Sequence, residues 1–303
     1  MLIHKHMVNI SLARLRVFLA VAQGSSISAA AERLSISQPA VSATVTALQN
    51  ELGVALIRRD GRGIRLTEGG LRLAGHARHL FAILDDALED LRSLERDVEP
   101  RARVGAVATV AEHVLPPMLR DIRTEHPAME IELDVSTRQS VWERLAAWEV
   151  HVVVAGRPPL DRRFRSIATR LNEIVVVAPP AQRIAPTELA TATWLLREPG
   201  TGTRALSAEF FADLGIEPHR QLTIGSNGAI RECVRAGLGI SLVSLDSVRR
   251  ELENGDLIEV PTPITPLQRR WHIVVNQERA IPPAAQAFIA ALLPHFEQAA
   301  ETP

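Results

Sequence analysis

The sequence predicts an α+β multidomain protein, in which a small helical module with a β-hairpin is followed by a long linker helix and a two-lobed α/β body. Three observations support this prediction. Short helical patterns and an arginine-rich hairpin occupy residues 1–66, an apolar heptad pattern runs through residues 67–98, and strands alternate with helices over residues 99–303. A chain of 303 residues is long enough for about two domains.

The first two helices of the N-terminal module are short. Residues 12–22 place apolar side chains on one helical face, and Gly24 ends this pattern. Ser28 is expected to cap a second helix, because a serine hydroxyl before an alanine-rich run accepts a hydrogen bond from a free backbone N–H. A tight connection at residues 35–37 separates this helix from a third.

A third helix is predicted over residues 38–52. Ser37 and Pro39 favour its start, because proline lacks an N–H group that would be unpaired in the first turn. Its buried stripe consists of Val41, Val45, Leu48 and Leu52. The opposite face carries polar side chains that can read base edges, namely Gln38, Ser42, Thr46 and Gln49. Two short helices joined by a three-residue turn match a helix-turn-helix, although a solvated face of a small bundle is an equal alternative for this stretch alone.

The segment after the third helix has the pattern of a β-hairpin, with strands at residues 55–59 and 64–66 around a glycine-containing loop. Its four arginines are Arg58, Arg59, Arg62 and Arg65. They favour a winged helix-turn-helix, in which the hairpin supplies cations for DNA phosphates. The charge distribution agrees, since residues 1–84 hold 10 Lys/Arg and 4 Asp/Glu whereas the remainder holds 24 and 31.

A long helix is predicted over residues 67–98, and it ends before Pro100. Apolar residues recur in it at alternating steps of four and three, which is the pattern of a coiled coil. They are Leu73, Ala77, Leu80, Leu84, Ala87, Leu91, Leu94 and Val98. A long helix packed against its own chain is the alternative, but the charged residues on its other faces favour a coiled coil. A helix homodimer would place two winged modules side by side on a two-fold related DNA site.

The body is predicted to contain parallel sheets covered by helices, because strands and helices alternate along it. A proline-rich break at residues 156–159 suggests a hinge between two lobes. The first lobe would hold residues 101–157 and 268–303, and the second residues 158–267. Ligands in such folds bind at the carboxyl ends of the strands, where helices begin.

Four strand-to-helix turns of the body place hydroxyl or amide groups beside free helix N–H groups and would suit a small carboxylate or phosphate ester. They are residues 108–109, 136–137, 199–203 and 225–227. Helix capping alone is the alternative explanation for each serine or threonine. The turn at residues 199–203, followed by Arg204, is the most informative, because glycines let a backbone approach a ligand. It lacks the lysine of a P-loop, so nucleotide hydrolysis is not indicated.

Residues 12–70 resemble the DNA-binding module of LysR-type transcriptional regulators. The matching residues are Ala29-Ala30-Ala31 with Leu34, the run Ser37 to Ser42, Leu48, Glu51-Leu52-Gly53, Leu56, Arg59 and Leu66-Thr67. The expected DNA-binding residues are Ser37, Gln38, Pro39, Ser42, Thr46, Arg58, Arg59, Arg62 and Arg65. Many members of the family have basic residues where this chain has Ala43 and Thr46, so we expect the wing to contribute more of the affinity here.

The body resembles the effector-binding domain of the same family, a periplasmic-binding-protein-like pair of lobes. The expected effector-binding residues are Thr109, Thr137, Gly200, Thr201, Gly202, Thr203, Arg204 and Asn227. The stretches LLREPGTGTR, IGSNGAIRECVRAGLGISLV and PLQRRWHIVVNQ are further similar to the regulators of carbon-fixation operons. That resemblance implies phosphorylated metabolites or nicotinamide cofactors as effectors. The family resemblance also implies further pairing of effector domains into a homotetramer.

Other functional classes receive less support from the sequence. No apolar run approaches a membrane span, no signal peptide is apparent, and a single cysteine, Cys233, excludes an internal disulfide. The sequence contains no HExxH motif, no histidine beside the single cysteine and no GxSxG motif, so neither a cofactor, a metal nor a catalytic residue is expected. We therefore expect a cytoplasmic regulator of double-stranded DNA controlled by a small, anionic metabolite. A cytoplasmic enzyme or solute binder built on the two-lobed body is the alternative.

Overall fold

The computed structural model describes four stretches of the chain. They are residues 10–24, 26–60, 63–95 and 101–298, without the side chains of Asp86, Glu89, Asp90 and residues 92–95. The chain divides into two compact units, Met1–Leu88 with Ala147–Glu149, and Glu89–Ala146 with Val150–Pro303. Among the described helices, none combines the length and the apolar character needed to cross a membrane.

The first unit is a small helical bundle with a hairpin and a long helix. Its elements are α1 (Leu12–Gly24), α2 (Ile27–Leu34), α3 (Gln38–Leu52), β1 (Ile57–Asp60), β2 (Gly63–Leu66) and most of α4 (Glu68–Glu95), whose residues from Glu89 onward belong to the second unit. Phe18 and Leu48 anchor one apolar cluster, and Val41 and Val45 belong to a second. The predicted stripe of α3 is confirmed at its first three positions, whereas Leu52 is half-buried.

The start of α2 differs from the prediction. Ser26, rather than Ser28, caps this helix, and its Oγ accepts a hydrogen bond from the Ala29 N–H at 3.1 Å. Ser28 lies inside the first turn because the helix begins at Ile27. Ser35 adopts a left-handed conformation, with φ of 53°, and turns the chain sharply towards α3.

The start of α4 crosses very close to the segment that leads into β1. The Thr67 N–H donates to the Leu56 carbonyl oxygen at 3.0 Å, and the Thr67 hydroxyl donates to the Ala55 carbonyl oxygen at 2.6 Å. The Gly70 N–H in turn donates to Thr67 Oγ1 at 3.0 Å. A Cβ atom on Gly70 would lie only 2.0 Å from the Leu56 carbonyl oxygen. This crossing therefore requires glycine at position 70.

The second unit alternates strands and helices. Its strands are β3 (Ala102–Ala106), β4 (Ile131–Val135), β5 (Val152–Ala155), β6 (Phe164–Ala178), β7 (Thr193–Leu196), β8 (Arg220–Thr223), β9 (Ser241–Ser244), β10 (Ile258–Glu259), β11 (Leu267–Asn276) and β12 (Glu297–Gln298). Its helices are α5 (Leu115–Glu125), α6 (Arg138–Ala146), α7 (Gly202–Leu214), α8 (Asn227–Arg235), α9 (Arg249–Glu253) and α10 (Pro283–Leu292). A π-helical turn at Val110–Val114 precedes α5, and a 3₁₀ turn at Leu245–Ser247 follows β9.

The sheets of this unit are mixed, so the prediction of parallel sheets is only partly correct. Strands β4, β3 and β5 are parallel, as are β7 and β8. The two longest strands, β6 and β11, run antiparallel to each other, and β11 also runs antiparallel to β5. Strand β6 pairs further with β9, β10 and β12. The sequence patterns indicated neither β10, β12 nor the first ten residues of β6.

Strands β6 and β11 pass from one lobe to the other. Ala168 of β6 packs with Trp271 and Ile273 of β11 in the core of the first lobe, whereas Ile174 of β6 packs in the core of the second. The chain therefore changes lobe within β6, beyond the hinge predicted at residues 156–159. A β-bulge interrupts the register of the pair between Ile273 and Val274.

A half-buried histidine lies on β11 where the two long strands pair. The Nδ1 atom of His272 is 2.9 Å from the Ser166 hydroxyl oxygen. Burial lowers the pKa of His272 to about 4, and the nearby charges of Arg270 and Arg157 act in the same direction. The imidazole is therefore neutral in the folded protein at neutral pH.

The second unit should lose stability as the pH falls from about 6.5 to about 4. Within this window the unfolded chain binds a proton at His272 and the folded chain does not, so protons favour unfolding. Replacing His272 with glutamine should flatten this loss by about 1–2 kcal/mol, allowing for its partial exposure. Urea unfolding followed by tryptophan fluorescence measures it, because three of the four tryptophans, Trp142, Trp194 and Trp271, lie in the second unit. The same pH dependence in the His272→Gln variant and the wild type would contradict this expectation.

Candidate DNA-binding surface and candidate effector cleft

The first candidate surface is the outer face of α3. Gln38, Pro39, Ser42 and Thr46 are exposed there, on the side opposite the buried stripe. Ser37 is also exposed, but its Oγ accepts a hydrogen bond from the Ala40 N–H at 3.4 Å and caps the helix. The face therefore offers hydrogen-bonding groups without a charged side chain at these positions.

Gln49 does not belong to this surface. Its side chain is half-buried, and its Oε1 accepts hydrogen bonds from the N–H groups of Leu56 at 2.8 Å and Ile57 at 3.2 Å. The predicted base-reading role of Gln49 is therefore wrong. Instead it fastens the end of α3 to the start of β1, and nothing in the local sequence pattern indicates this longer-range contact.

Replacing Gln49 with alanine should destabilise the first unit by about 1–3 kcal/mol, because it leaves two backbone N–H groups without their acceptor. Asn50→Ala removes an exposed neighbouring side chain and should cost much less. Thermal unfolding followed by circular dichroism measures both changes. A loss of DNA sequence preference without a loss of stability would contradict this structural role.

The hairpin of β1 and β2 presents its arginines to solvent. Arg58, Arg59 and Arg65 are exposed, and Arg62 lies outside the described residues. The Nε and Nη2 atoms of Arg65 lie 2.8 Å from Asp60 Oδ2, so this charge is partly neutralised. Across the described part of the chain, no carboxylate pairs with Arg58 or Arg59.

Arg58 and Arg65 lie directly opposite each other in the register of the hairpin. Their side chains consequently share one face, and like charges in this position repel each other. Arg59 lies opposite Ile64, on the other face. A phosphate group placed between Arg58 and Arg65 would relieve the repulsion, which suits the hairpin to a polyanion.

The second candidate site lies where β3, β4, β7 and β8 end in the second unit. The structure brings together two of the predicted residues, because the Asn227 amide donates a hydrogen bond from Nδ2 to Thr109 Oγ1 at 2.9 Å. Thr109 follows β3 in the first lobe and is buried, whereas Asn227 opens α8 in the second lobe. Their hydrogen bond therefore connects the two lobes.

Arg197, which the sequence patterns did not single out, occupies a central position in this site. Its Nε and Nη2 atoms donate to the two carboxylate oxygens of Glu198 at 2.8 and 2.9 Å, and its Nη1 donates to Asn227 Oδ1. These hydrogen bonds from Arg197 lower the pKa of the Glu198 carboxyl. Arg197 could have been identified in the sequence as a charged residue directly after the apolar strand β7.

The turn between β7 and α7 holds the other predicted residues. Gly200 has a φ of 91°, which favours glycine. Thr201 caps α7, since its Oγ1 accepts from the Arg204 N–H at 3.3 Å, and its hydroxyl donates to the Glu198 carbonyl oxygen at 2.9 Å. Thr203 is half-buried, and its carbonyl oxygen accepts from the Ser207 hydroxyl at 3.0 Å. Capping therefore explains Thr201.

The start of α6 faces the start of α7. A Cβ atom on Gly202 would lie 3.5 Å from Cδ of Arg138, so the Arg138 side chain passes beside this turn. Thr137 Oγ1 accepts from the Ser140 N–H at 3.3 Å and caps α6. The Arg138 guanidinium donates from Nη2 to the Arg157 carbonyl oxygen at 3.0 Å. Arg138, Arg197 and Arg204 thus lie at or beside the N-termini of α6, α7 and α8, a region that favours anions electrostatically.

The contact between the lobes continues one helical turn beyond Thr109 and Asn227. The π-helical turn that contains His113 contacts the 3₁₀ turn Leu245–Ser247 of the second lobe. Burial lowers the pKa of His113, and the nearby charge of Arg231 lowers it further against the opposing effect of three carboxylates. A neutral imidazole therefore suits this contact at neutral pH. Within the described ranges, no group of three or more His, Cys, Asp and Glu side chains could hold a metal ion.

Comparisons with known proteins agree with the two-part architecture. The family model of the bacterial regulatory helix-turn-helix protein, lysR family, matches residues 12–71, and that of the LysR substrate binding domain matches residues 95–297. The RuBisCO operon transcriptional regulator of Allochromatium vinosum is 34% identical over 287 residues, covering 93% of this chain and 95% of that protein.

Solved structures show the same fold. Full-length CbnR complexed with its target DNA has a TM-score of 0.67 at 22% identity, covering 94% of this chain and all of that chain. The regulatory domain of CcmR from Synechocystis PCC6803, in complex with 2-PG, has a TM-score of 0.60 at 24% identity and covers 64% of this chain and 96% of that chain. The predicted fold class and the prediction of a regulator rather than an enzyme are confirmed. The chain belongs to the LysR family of DNA-binding transcriptional regulators.

Proposed function

We propose that this regulator acts in the cytoplasm as a homo-oligomer on two-fold related operator DNA, under the control of a small anionic metabolite bound between the lobes of its second unit. The observation that carries the effector part is the position of Arg138, Arg197 and Arg204, each at or beside the N-terminus of a helix. Similarity to the Allochromatium vinosum regulator supports carbon-fixation genes as the targets.

The α3 face and the hairpin together would contact the operator. Gln38, Pro39, Ser42 and Thr46 would face the major groove, while Ser37 would approach it at the helix start. Arg58, Arg59 and Arg65 would contact phosphates. Arg62 is included in this proposal on its sequence position alone.

Helix α4 would pair two subunits. The predicted seam needs a correction at its start, because Ala77 is buried in the core of the first unit and Leu73 packs against that core. Beyond them apolar side chains remain exposed, with Leu80 at 41% and Leu91 at 60%. Exposed leucines at heptad spacing on a long helix support a coiled-coil partner. Leu84 is half-buried and Ala87 exposed, while the Leu94 side chain and Val98 lie outside the described residues.

Sedimentation of the intact protein tests this pairing. A Leu80→Asp and Leu91→Asp double variant should form smaller oligomers than the wild type, because two charges would be buried in the seam. If the effector domains pair as well, the wild type is a tetramer and this variant a dimer. An unchanged mass for the variant would contradict pairing through α4.

Footprinting of the intact protein on DNA beside its own gene and beside carbon-fixation genes tests the DNA part of the proposal. We expect a protected region with two related half-sites at moderate salt. The absence of sequence-specific protection on these fragments would contradict the proposed targets.

Thermal-shift measurements with 2-PG and other small anions test the effector part. A binding anion should raise the unfolding temperature, and Arg204→Ala or Thr203→Val should reduce that rise. If neither variant alters the response to an anion that binds, the ligand occupies another place.

A further inference from the structure

We infer that Glu198 is a built-in counter-anion of the effector cleft, which competes with an incoming ligand for the Arg197 guanidinium and selects for dianions. This inference rests on the proposed effector function of the cleft. It assigns to the pair formed by Arg197 and Glu198 a role that neither capping nor packing of the turn requires.

The geometry of the pair is that of anion recognition. Two nitrogen atoms of Arg197 donate in parallel to the two oxygens of Glu198, at 2.8 and 2.9 Å. A planar guanidinium binds a free carboxylate or phosphate through the same two-pronged arrangement. An external anion therefore has to take the place that the Glu198 carboxylate now occupies.

The two partners differ in their freedom to move. The Arg197 side chain is only 11% exposed, and a third hydrogen bond to Asn227 restrains it. The Glu198 side chain is 38% exposed, so its carboxylate can rotate into solvent without opening the core. The arginine consequently acts as the fixed receptor and the glutamate as the displaceable occupant.

The same guanidinium is linked to the contact between the lobes. Arg197 donates to Asn227 Oδ1, and Asn227 donates in turn to Thr109 of the first lobe. A change of anion on Arg197 alters the position of the amide that bridges the lobes. Exchange of Glu198 for a ligand is thus transmitted to the lobe contact through one side chain.

Competition with an internal carboxylate favours ligands of higher charge. A monoanion that displaces Glu198 gains little binding free energy, because its single charge only replaces a carboxylate charge that the chain already holds beside Arg197. A dianionic phosphate ester gains additional attraction from Arg138, Arg204 and the helix N-termini. Glu198 therefore suppresses the binding of monocarboxylates more than that of phosphate esters.

Calorimetric titration of the intact protein at constant ionic strength and pH 8 tests this inference, with inorganic phosphate as the dianion and acetate as the monoanion. Glu198→Gln keeps the size of the side chain and removes its charge. It should bind phosphate about tenfold more tightly than the wild type and should bind acetate measurably. Glu209→Gln removes a carboxylate of helix α7 that is paired with Arg269 of β11, and it should behave like the wild type.

Arg197→Gln should lose phosphate binding both alone and combined with Glu198→Gln. Arg197→Lys keeps the charge without the planar fork and serves where the glutamine variant fails to fold; it should bind phosphate more weakly than the wild type. If the wild type binds phosphate and Glu198→Gln binds it no more tightly, the counter-anion role is wrong, whereas the proposed anion site in the cleft is retained. If neither the wild type nor any variant binds either anion, the effector proposal fails together with this inference.

Discussion

Alanine in place of Gly70 should destabilise the first unit by about 3 kcal/mol or more and thereby abolish DNA binding. Its Cβ would lie 2.0 Å from the Leu56 carbonyl oxygen, and that oxygen already accepts a hydrogen bond from Thr67. The clash is with backbone, so the start of α4 has to move away from the segment before β1. The hairpin and α4 would lose their common anchor.

Two neighbouring glycines provide matched controls. A Cβ on Gly69 would lie 2.8 Å from Cγ1 of the exposed Val54 side chain but no closer than 3.5 Å to the Ala55 carbonyl oxygen. The Val54 side chain can move, so Gly69→Ala should cost much less. Gly75 lies inside α4, where an added Cβ would meet no atom within 4 Å, and Gly75→Ala should stabilise the helix by about 0.5–1 kcal/mol. Thermal unfolding followed by circular dichroism ranks the three variants. Equal stability of Gly70→Ala and Gly69→Ala would contradict the close crossing.

Removing Arg58 and Arg59 together should weaken operator binding about 100-fold, since each charged contact to phosphate contributes roughly tenfold. The slope of log K against log salt concentration should fall by about 2, because two fewer counterions are released. Sequence preference should persist, because base contacts come from α3. Fluorescence anisotropy with operator and unrelated DNA over a series of salt concentrations measures all three quantities.

The ion pair inside the hairpin offers a test in the opposite direction. Asp60→Asn removes the carboxylate that holds Arg65 and should tighten DNA binding with a steeper salt slope. Arg120→Ala removes an exposed arginine on α5 of the second unit and should leave DNA binding unchanged. An unaltered salt slope in the double arginine variant would show that the hairpin does not contact phosphates.

Elements with strong local signals could be predicted from the sequence. Helix α3 begins and ends where Ser37 and Gly53 predict, because a serine cap and a left-handed glycine act within one turn of the chain. The arginine hairpin and the long helix α4 likewise follow from short-range patterns. The start of α2 was missed because two serines two residues apart, Ser26 and Ser28, both suit a cap.

Features that depend on distant partners could not be predicted. The first part of β6 carries Arg165, Arg170 and Glu173, and only the pairing with β11 makes this polar segment a strand. The heptad pattern of α4 likewise contains positions with different surroundings. Its first positions pack in the core of the first unit, whereas later positions expose leucines for the proposed coiled coil. In the candidate cleft, Arg197 gains its role from Asn227, which lies 30 residues away.

The passage of β6 and β11 from one lobe to the other limits how the lobes can respond to a ligand. Two hydrogen-bonded strands connect the lobes, where other proteins could have flexible loops. A wide opening of the cleft would therefore have to break hydrogen bonds between these strands. A two-stranded pair can twist more easily than it can open, and the bulge at Ile273 and Val274 increases its right-handed twist. The paired strands therefore favour a small rotation of one lobe against the other over a wide opening of the cleft.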